Sequence, residues 1–210
     1  MRKYLAEFIG TFFLVLTIGC TAVKTGGGVI PPLAIGSILM VMIFANGHVS
    51  GAHLNPAVTL AVWLRGRCST ADVPGYMVAQ VLGGIVAAFV ALFLIQGEAF
   101  QVSEKRLDVS RALVAEFCFT FALCYVVLNT ATARGTSGNS FYGLAIGFTV
   151  LTGAFSVGAI SGGAFNPAVA IALVIMGVTG PVDLWILLVG TFAGGAVAAL
   201  AFKFINPEDT

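Results

Sequence analysis

Two tripeptides, Asn55-Pro56-Ala57 and Asn166-Pro167-Ala168, are the residues of this chain best placed to do chemistry. That chemistry is hydrogen bonding, not catalysis. Asparagine is among the best helix N-caps, because its side-chain oxygen accepts from an N–H of the first turn. Proline at the first helical position loses nothing, since its missing N–H would go unpaired there anyway. Alanine is small enough to let two such helix ends abut. With its oxygen engaged in the cap, each amide has its NH₂ turned outward as a donor. Two opposed copies would set two donors at one spot, backed by two helix-dipole ends of roughly half a positive charge each. Such a spot orients neutral hydrogen-bonding solutes and repels cations. A lone Asn-Pro is most simply a capped helix start. Two copies inside a duplicated frame call for more.

The duplication is extensive. His48–Leu64 pairs with Ala159–Ile175 without gaps at the 111-residue spacing that separates position 55 from position 166. The same spacing returns Leu33-Ala34-Ile35-Gly36 as Leu144-Ala145-Ile146-Gly147, and Gly83-Gly84 as Gly194-Gly195. Ala6-Glu7-Phe8 and Thr11-Phe12 recur as Ala115-Glu116-Phe117 and Thr120-Phe121 at a spacing of 109.

Composition decides what must position the tripeptides. With 59% hydrophobic and 9% charged residues, the chain carries more apolar side chain than a soluble fold of 210 residues can hide. It is expected to be an all-α integral membrane protein. A net charge of +1 gives no reason to expect nucleic acid. Six stretches, about 4–23, 31–48, 74–96, 110–132, 139–160 and 181–205, are long enough to span a bilayer. The first follows Met1-Arg2-Lys3 as a signal peptide would, but it contains Glu7 and runs on without a cleavage site, so it reads as a span. Two more apolar stretches, about 56–65 and 167–177, cover only half a membrane.

Three spans plus a half-helix make one unit, and an odd span number inverts the second unit against the first. Repeat 1 covers about 1–96 and repeat 2 about 110–210, joined by a charged linker at 97–109 within one transmembrane domain over 1–210. The half-helices are expected to enter from opposite faces and meet at the midplane. Arg2, Lys3, Arg65, Arg67, Arg134 and Lys203 on one face outnumber Lys24, Lys105, Arg106 and Arg111 on the other, where Glu98, Glu104 and Asp108 also lie. The bias places both termini in the cytoplasm. The short tails suggest a prokaryotic plasma (inner) membrane.

The stretches ahead of the tripeptides, Ser50-Gly51-Ala52-His53-Leu54 and Ser161-Gly162-Gly163-Ala164-Phe165, are too short and glycine-rich for helix. Non-helical backbone survives in a membrane where it lines a water-filled cavity. Their carbonyls are expected to form an acceptor ladder leading to the midplane donors. Glu7 and Glu116, deep in matching spans, are functional candidates by default. Their repeat-related positions favour a scaffold role, accepting from the N–H groups of the neighbouring loop, over proton coupling.

The sequence resembles the major intrinsic protein family, the aquaporins and their solute-conducting relatives. The likeness rests on Ala6-Glu7-Phe8-x-Gly10-Thr11-Phe12, on Gly47-His48-x-Ser50-Gly51-x-His53-x-Asn55-Pro56-Ala57-Val58-Thr59, and on Ser161-Gly162-x-x-x-Asn166-Pro167-Ala168. It implies a right-handed bundle of six helices and two half-helices with a pore in each protomer, usually a homotetramer. It further implies conduction of water and small neutral solutes by pore diameter, lining donors and electrostatic barriers. A four-residue constriction is implied at Ile35, Ala154, Gly163 and Val169. Water channels of the family usually carry arginine at the last of these and often an aromatic residue or histidine at the first.

That departure removes five fixed donors and a permanent charge. The expected filter is wide and apolar, similar at Val169 to the plant vacuolar subgroup that conducts water, ammonia and urea. The competing expectation is a strict water channel in which Phe155 or Phe165 refills the gap; a shift of one residue would also exchange Ala154 for Gly153 or Phe155. Ammonia, urea, glycerol, metalloid hydroxides and dissolved gases all remain open as solutes.

His53 fits the family's inner-vestibule histidine. A packing role for it or for His48, and pH sensing by either, stay open. Gln80 is expected to bond a loop or partner helix, and Arg65 and Arg67 to sit at the negative end of the first half-helix. Cysteines 20, 68, 118 and 124 lack metal-ligand or disulfide spacing and read as free packing residues. No nucleophile–base pair, phosphate loop, metal cluster or cofactor motif is present, so an enzyme is not expected. Two rivals remain. A secondary transporter would need ionisable groups at the midplane. A non-conducting adhesive member, of the kind known from lens, would need an occluded pore.

Overall fold

The computed structural model describes residues 1–23, 28–95 and 106–209. Lys24, Glu98, Glu104, Lys105 and most of the charged linker at 97–109 lie outside the described residues. Among those described there are eight α-helices and no strand. In chain order they are α1 (Arg2–Ile18), α2 (Ile30–Ser50), α3 (Pro56–Leu64), α4 (Val73–Leu94), α5 (Val109–Val127), α6 (Tyr142–Ser161), α7 (Pro167–Ile175) and α8 (Leu184–Ile205). Six of these, all but α3 and α7, are long and apolar enough to cross a membrane. With nine residues each, α3 and α7 are the half-helices.

The boundaries have local causes. The fifth span begins at Tyr142 and not at the expected 139, because the Asn139 side chain accepts from the backbone N–H groups of Phe141 and Tyr142 (3.1 and 2.9 Å) and turns the chain first. The half-helices stop short of the expected 65 and 177 for one shared reason. Gly66 (φ 87°) and Gly177 (φ 72°) take the left-handed conformation that glycine tolerates. Around them Arg67 N–H reaches the Val62 carbonyl and Val178 N–H the Leu173 carbonyl, the six-to-one bond of a Schellman end. The first helix of each repeat also ends alike. Both α1 and α5 run into a π-helical turn, Gly19–Val23 and Leu128–Thr132.

Lipid supplies no hydrophobic drive for helix association, so close packing must, and glycines permit it. Between the repeats, α2 crosses α6 at Gly36 and Gly147. A Cβ on either would lie 2.8 or 2.5 Å from the other's carbonyl oxygen. Within each repeat, Gly83 of α4 abuts the Phe8 carbonyl of α1, and Gly194 of α8 abuts the Phe117 carbonyl of α5. The next glycines seat the half-helices of the opposite repeat: Gly84 faces the Ala168 carbonyl and Gly195 that of Ala57. The last two contacts seat the half-helices, and the other four pack the spanning helices around them. Large apolar side chains such as Phe89, Phe93, Phe148 and Phe204 remain exposed on the outside, as a lipid-facing surface requires.

Candidate functional site

From Gly51 (φ 82°) to Asn55, and from Gly162 (φ 91°) to Asn166, the backbone is non-helical. Three non-glycine residues there hold left-handed dihedrals, Ala52 (φ 48°), Leu54 (φ 52°) and Phe165 (φ 48°). Each such residue costs about 1–2 kcal/mol and persists only where the surroundings impose it. Glu7 and Glu116 supply that imposition.

Both carboxylates are fully buried. Glu7 Oε1 accepts from Ser50 Oγ (2.6 Å) and His53 N (2.9 Å), and Oε2 from Leu54 N (2.6 Å) and Gln80 Nε2 (2.7 Å). Glu116 repeats the pattern with Ser161 Oγ (2.6 Å), Ala164 N (3.0 Å) and Phe165 N (2.7 Å). The fourth donor has no counterpart. At the position matching Gln80 stands Thr191, whose hydroxyl donates to the Leu187 carbonyl of its own helix. Four hydrogen-bond partners occupy both oxygens of Glu7 and fix the carboxylate against the loop.

Asn55 and Asn166 are the N-caps of α3 and α7. Asn55 Oδ1 accepts from Ala57 N at 2.8 Å and Val58 N at 3.4 Å, and Asn166 Oδ1 from Ala168 N at 2.9 Å. Their NH₂ groups are only half free. Asn55 Nδ2 donates to the Phe165 carbonyl (2.8 Å), and Asn166 Nδ2 to the Leu54 carbonyl (2.9 Å). The expectation of two outward-pointing NH₂ groups is therefore corrected: one N–H of each amide ties the opposite loop, and one remains. The innermost carbonyl on each side, Leu54 or Phe165, accepts one of these amides and keeps its second lone pair. The tripeptide alanines pack on Gly195 and Gly84.

Two cavities are lined by residues of both repeats. The larger, about 910 Å³, opens on the face that carries both chain ends. It is lined by Gly51, His53, Arg67, Asp72, Tyr76 and Tyr142 among others. Lys3 and Tyr4 beside Asp72 hold its carboxyl below the ordinary range. The other cavity, about 420 Å³, runs from the opposite face to the asparagines. Ile35, Ala154, Gly163 and Val169 all line it, as do Ala52, His53, Leu54, Asn55, Gly162, Ala164, Phe165 and Asn166. Val58, the counterpart of Val169, lines it too, whereas Pro56, Ala57, Pro167 and Ala168 lie behind the wall. Among the described lining residues none is Asp, Glu, Lys or Arg. Phe155 lines the cavity and is half exposed, while the Phe165 ring is buried against Phe119 at 5.6 Å.

Three arrangements were not legible in the residues alone. Gln80 bridges Glu7 to Thr59 of α3 (Nε2–Oγ1 2.9 Å). Thr59 in turn meets His53 Nδ1 at 3.2 Å. Arg65, at the end of α3, is buried over the Phe202 ring (4.6 Å) and donates to Thr132 and Asp209. His48 lines neither cavity. All four cysteines are free thiols.

Six spanning helices, two half-helices meeting at capped asparagines and a cavity on either side of them define a multi-pass membrane channel. Residues 1–202 match the family model "Major intrinsic protein", and the chain belongs to that family. It is 40% identical over 221 residues to aquaporin NIP1-3 of Oryza sativa subsp. japonica, an alignment covering 99% of this chain and 75% of that one. It is 36% identical over 217 residues, covering all of both chains, to glycerol uptake facilitator protein-like 6 of Lactiplantibacillus plantarum. Among solved structures, the fold is shared with the aquaglyceroporin from Plasmodium falciparum (TM-score 0.82, 23% identity, covering 99% of this chain and 97% of that one).

Proposed function

We propose that each protomer is a passive pore for water and small uncharged solutes. Ile35, Ala154, Gly163 and Val169 form a wide, apolar filter, and Asn55 and Asn166 are the midplane donors. The carrying observation is that these six residues line one cavity of about 420 Å³ whose described walls hold no carboxylate, ammonium or guanidinium. Glycerol, urea, ammonia and metalloid hydroxides are solutes of the right size and polarity. The similarity to a glycerol uptake facilitator-like protein supports that choice. The functional unit is a homotetramer with both chain ends in the cytoplasm and the bundle in the plasma membrane. Buried Glu7 and Glu116, bound to loop N–H groups and absent from the cavity wall, speak against a proton-coupled transporter.

Phe155 gives a second reading its footing. Its half-exposed ring lines the cavity beside Ala154 and could narrow the filter to water alone. Stopped-flow light scattering on proteoliposomes decides between the two, comparing water efflux with glycerol and urea uptake for wild type and Val169→Arg. Solute uptake that collapses in the variant while water flux persists supports the wide filter. Water flux with no solute above the lipid background in the wild type overturns it in favour of the strict water channel.

A further inference from the structure

Among the described residues, His53 and Val127 are the two that line both cavities, so the junction between them passes the His53 imidazole. What that ring offers a passing solute depends on which nitrogen carries the proton. The surrounding hydrogen bonds settle this from the inside outward.

The chain starts at Glu7. Its Oε2 lies 2.7 Å from the Gln80 amide, which must therefore turn its NH₂ toward the carboxylate. The same nitrogen lies 2.9 Å from Thr59 Oγ1, so the second amide hydrogen goes to the hydroxyl. Thr59 then has one hydrogen of its own to give. Two acceptor-only oxygens compete for it, the Asn55 carbonyl at 3.1 Å and Gln80 Oε1 at 3.4 Å. Asn55 and Gln80 are both buried, and directing the hydrogen at the imidazole would forfeit both of these acceptors at once. Accepting from Gln80 and donating to one of these oxygens, Thr59 has one lone pair left for His53 Nδ1 at 3.2 Å. Nδ1 must be the donor. The Tyr76 ring, with its centroid 4.9 Å from that of the imidazole, packs beside it, and Tyr76 is itself fixed by its hydroxyl on the Ser50 carbonyl (2.8 Å).

We infer that Thr59 and Gln80 are positioning residues that lock His53 in the Nδ1–H tautomer, making Nε2 a bare acceptor at the junction of the two cavities. The inference rests on the channel reading and deepens it. The midplane asparagines donate, and two residues along the chain the imidazole accepts. A solute between them takes an N–H on its acceptor side and gives a hydrogen to Nε2. Water, ammonia, amides and alcohols can do both; an apolar gas can do neither. The path therefore favours small solutes that are donor and acceptor at once, and it does so on the side of the asparagines away from Val169.

The test reads the tautomer and the flux separately. His48 is the other histidine of the chain, so a His48→Gln background carries one imidazole to observe. Solid-state NMR of nitrogen-labelled histidine in liposomes should show Nδ1 protonated and Nε2 bare. Thr59→Val, which removes the oxygen without touching either cavity wall, should mix the tautomers and lower urea and water flux by about fivefold, the factor of one ordinary hydrogen bond. Thr59→Ser should restore both. A single Nε2–H tautomer in the parent protein overturns the inference. So does a Thr59→Val protein whose tautomer or flux is unchanged. A parent protein with the stated tautomer but no flux above the lipid background defeats the channel reading, and the selectivity role falls with it.

Discussion

The side-chain amide of Asn55 donates to the backbone carbonyl of Phe165 at 2.8 Å, so the cap of one half-helix is tied to the loop of the other. Asn166 returns the tie to Leu54 at 2.9 Å. Each asparagine thus caps its own helix and satisfies a buried carbonyl of the opposite repeat, and both line the cavity of about 420 Å³. The two ties close a ring of hydrogen bonds between the repeats where the half-helices meet.

Breaking that ring should be costly. Asn166→Ala removes a cap worth about 1 kcal/mol and strands the buried Leu54 carbonyl for about 1–3 kcal/mol more. Asn55→Ala should cost a similar amount through Phe165. Unfolding in detergent, followed by circular dichroism against denaturant, measures both. A loss under about 0.5 kcal/mol, the range of an ordinary surface substitution, would show that the ties contribute nothing.

The two carboxylates should differ in sensitivity. Glu7 takes four donors and Glu116 three, because Gln80 has Thr191 as its counterpart. Replacement by glutamine turns one acceptor oxygen into an NH₂ facing donors. Glu7→Gln therefore sets donors against one another in a more crowded site and should be the more destabilising by about 1 kcal/mol. The same detergent unfolding measures the pair, and equal losses would refute the asymmetry.

How much of this could be read in the residues follows from the range of each cause. Span lengths, half-helix lengths and the inverted repeat depend on hydropathy and spacing, which are local. Ile35 and Val169 were reached through the family resemblance, counted from the asparagines, and not from any local pattern; both line the cavity of about 420 Å³. The partners of the asparagine amides could not, because no local rule says that Leu54 and Phe165 of opposite repeats face them. Gln80 was recognisable as a polar residue needing a partner, but its place between Glu7 and Thr59 depends on how α1, α3 and α4 pack. The ends of α3 and α7 were overrun by one and two residues, because hydropathy does not register the left-handed turn that Gly66 and Gly177 make.

Backbone strain offers a third test. Ala52 and Gly163 are repeat counterparts and both hold positive φ, 48° and 64°. Ala52→Gly should relieve about 1–2 kcal/mol of left-handed strain, against about 0.5–1 kcal/mol of extra chain entropy, for a net gain below about 1.5 kcal/mol. Gly163→Ala should lose stability, since its Cβ would lie 3.3 Å from Gly158 Cα, and should also narrow the cavity that Gly163 lines. Thermal unfolding reads the first effect and urea uptake the second. A stabilised Gly163→Ala protein with unchanged uptake would contradict both arguments.

At the face carrying the chain ends, Asp209 gathers Arg65 (2.8 Å), Arg134 (3.4 Å) and Arg67 (3.6 Å), and its Oδ2 accepts from the Arg134 backbone N–H at 2.7 Å. That N–H, with the Arg65 guanidinium, holds the Asp209 carboxyl below its ordinary value of 3.8. A carboxyl lowered in the folded state stabilises above its unfolded value and loses that contribution as pH falls through the folded one. The tie of the chain end to the loop between α5 and α6 should therefore be constant from about pH 5 to 8 and weaken only below about pH 4. The observable is hydrogen-exchange protection of the Arg134 amide, normalised to Asp209→Ala at each pH. Protection over the variant should hold at neutral pH and vanish in acid. A wild type no better protected than Asp209→Ala at pH 7 would mean that the arginines hold the loop without the carboxylate.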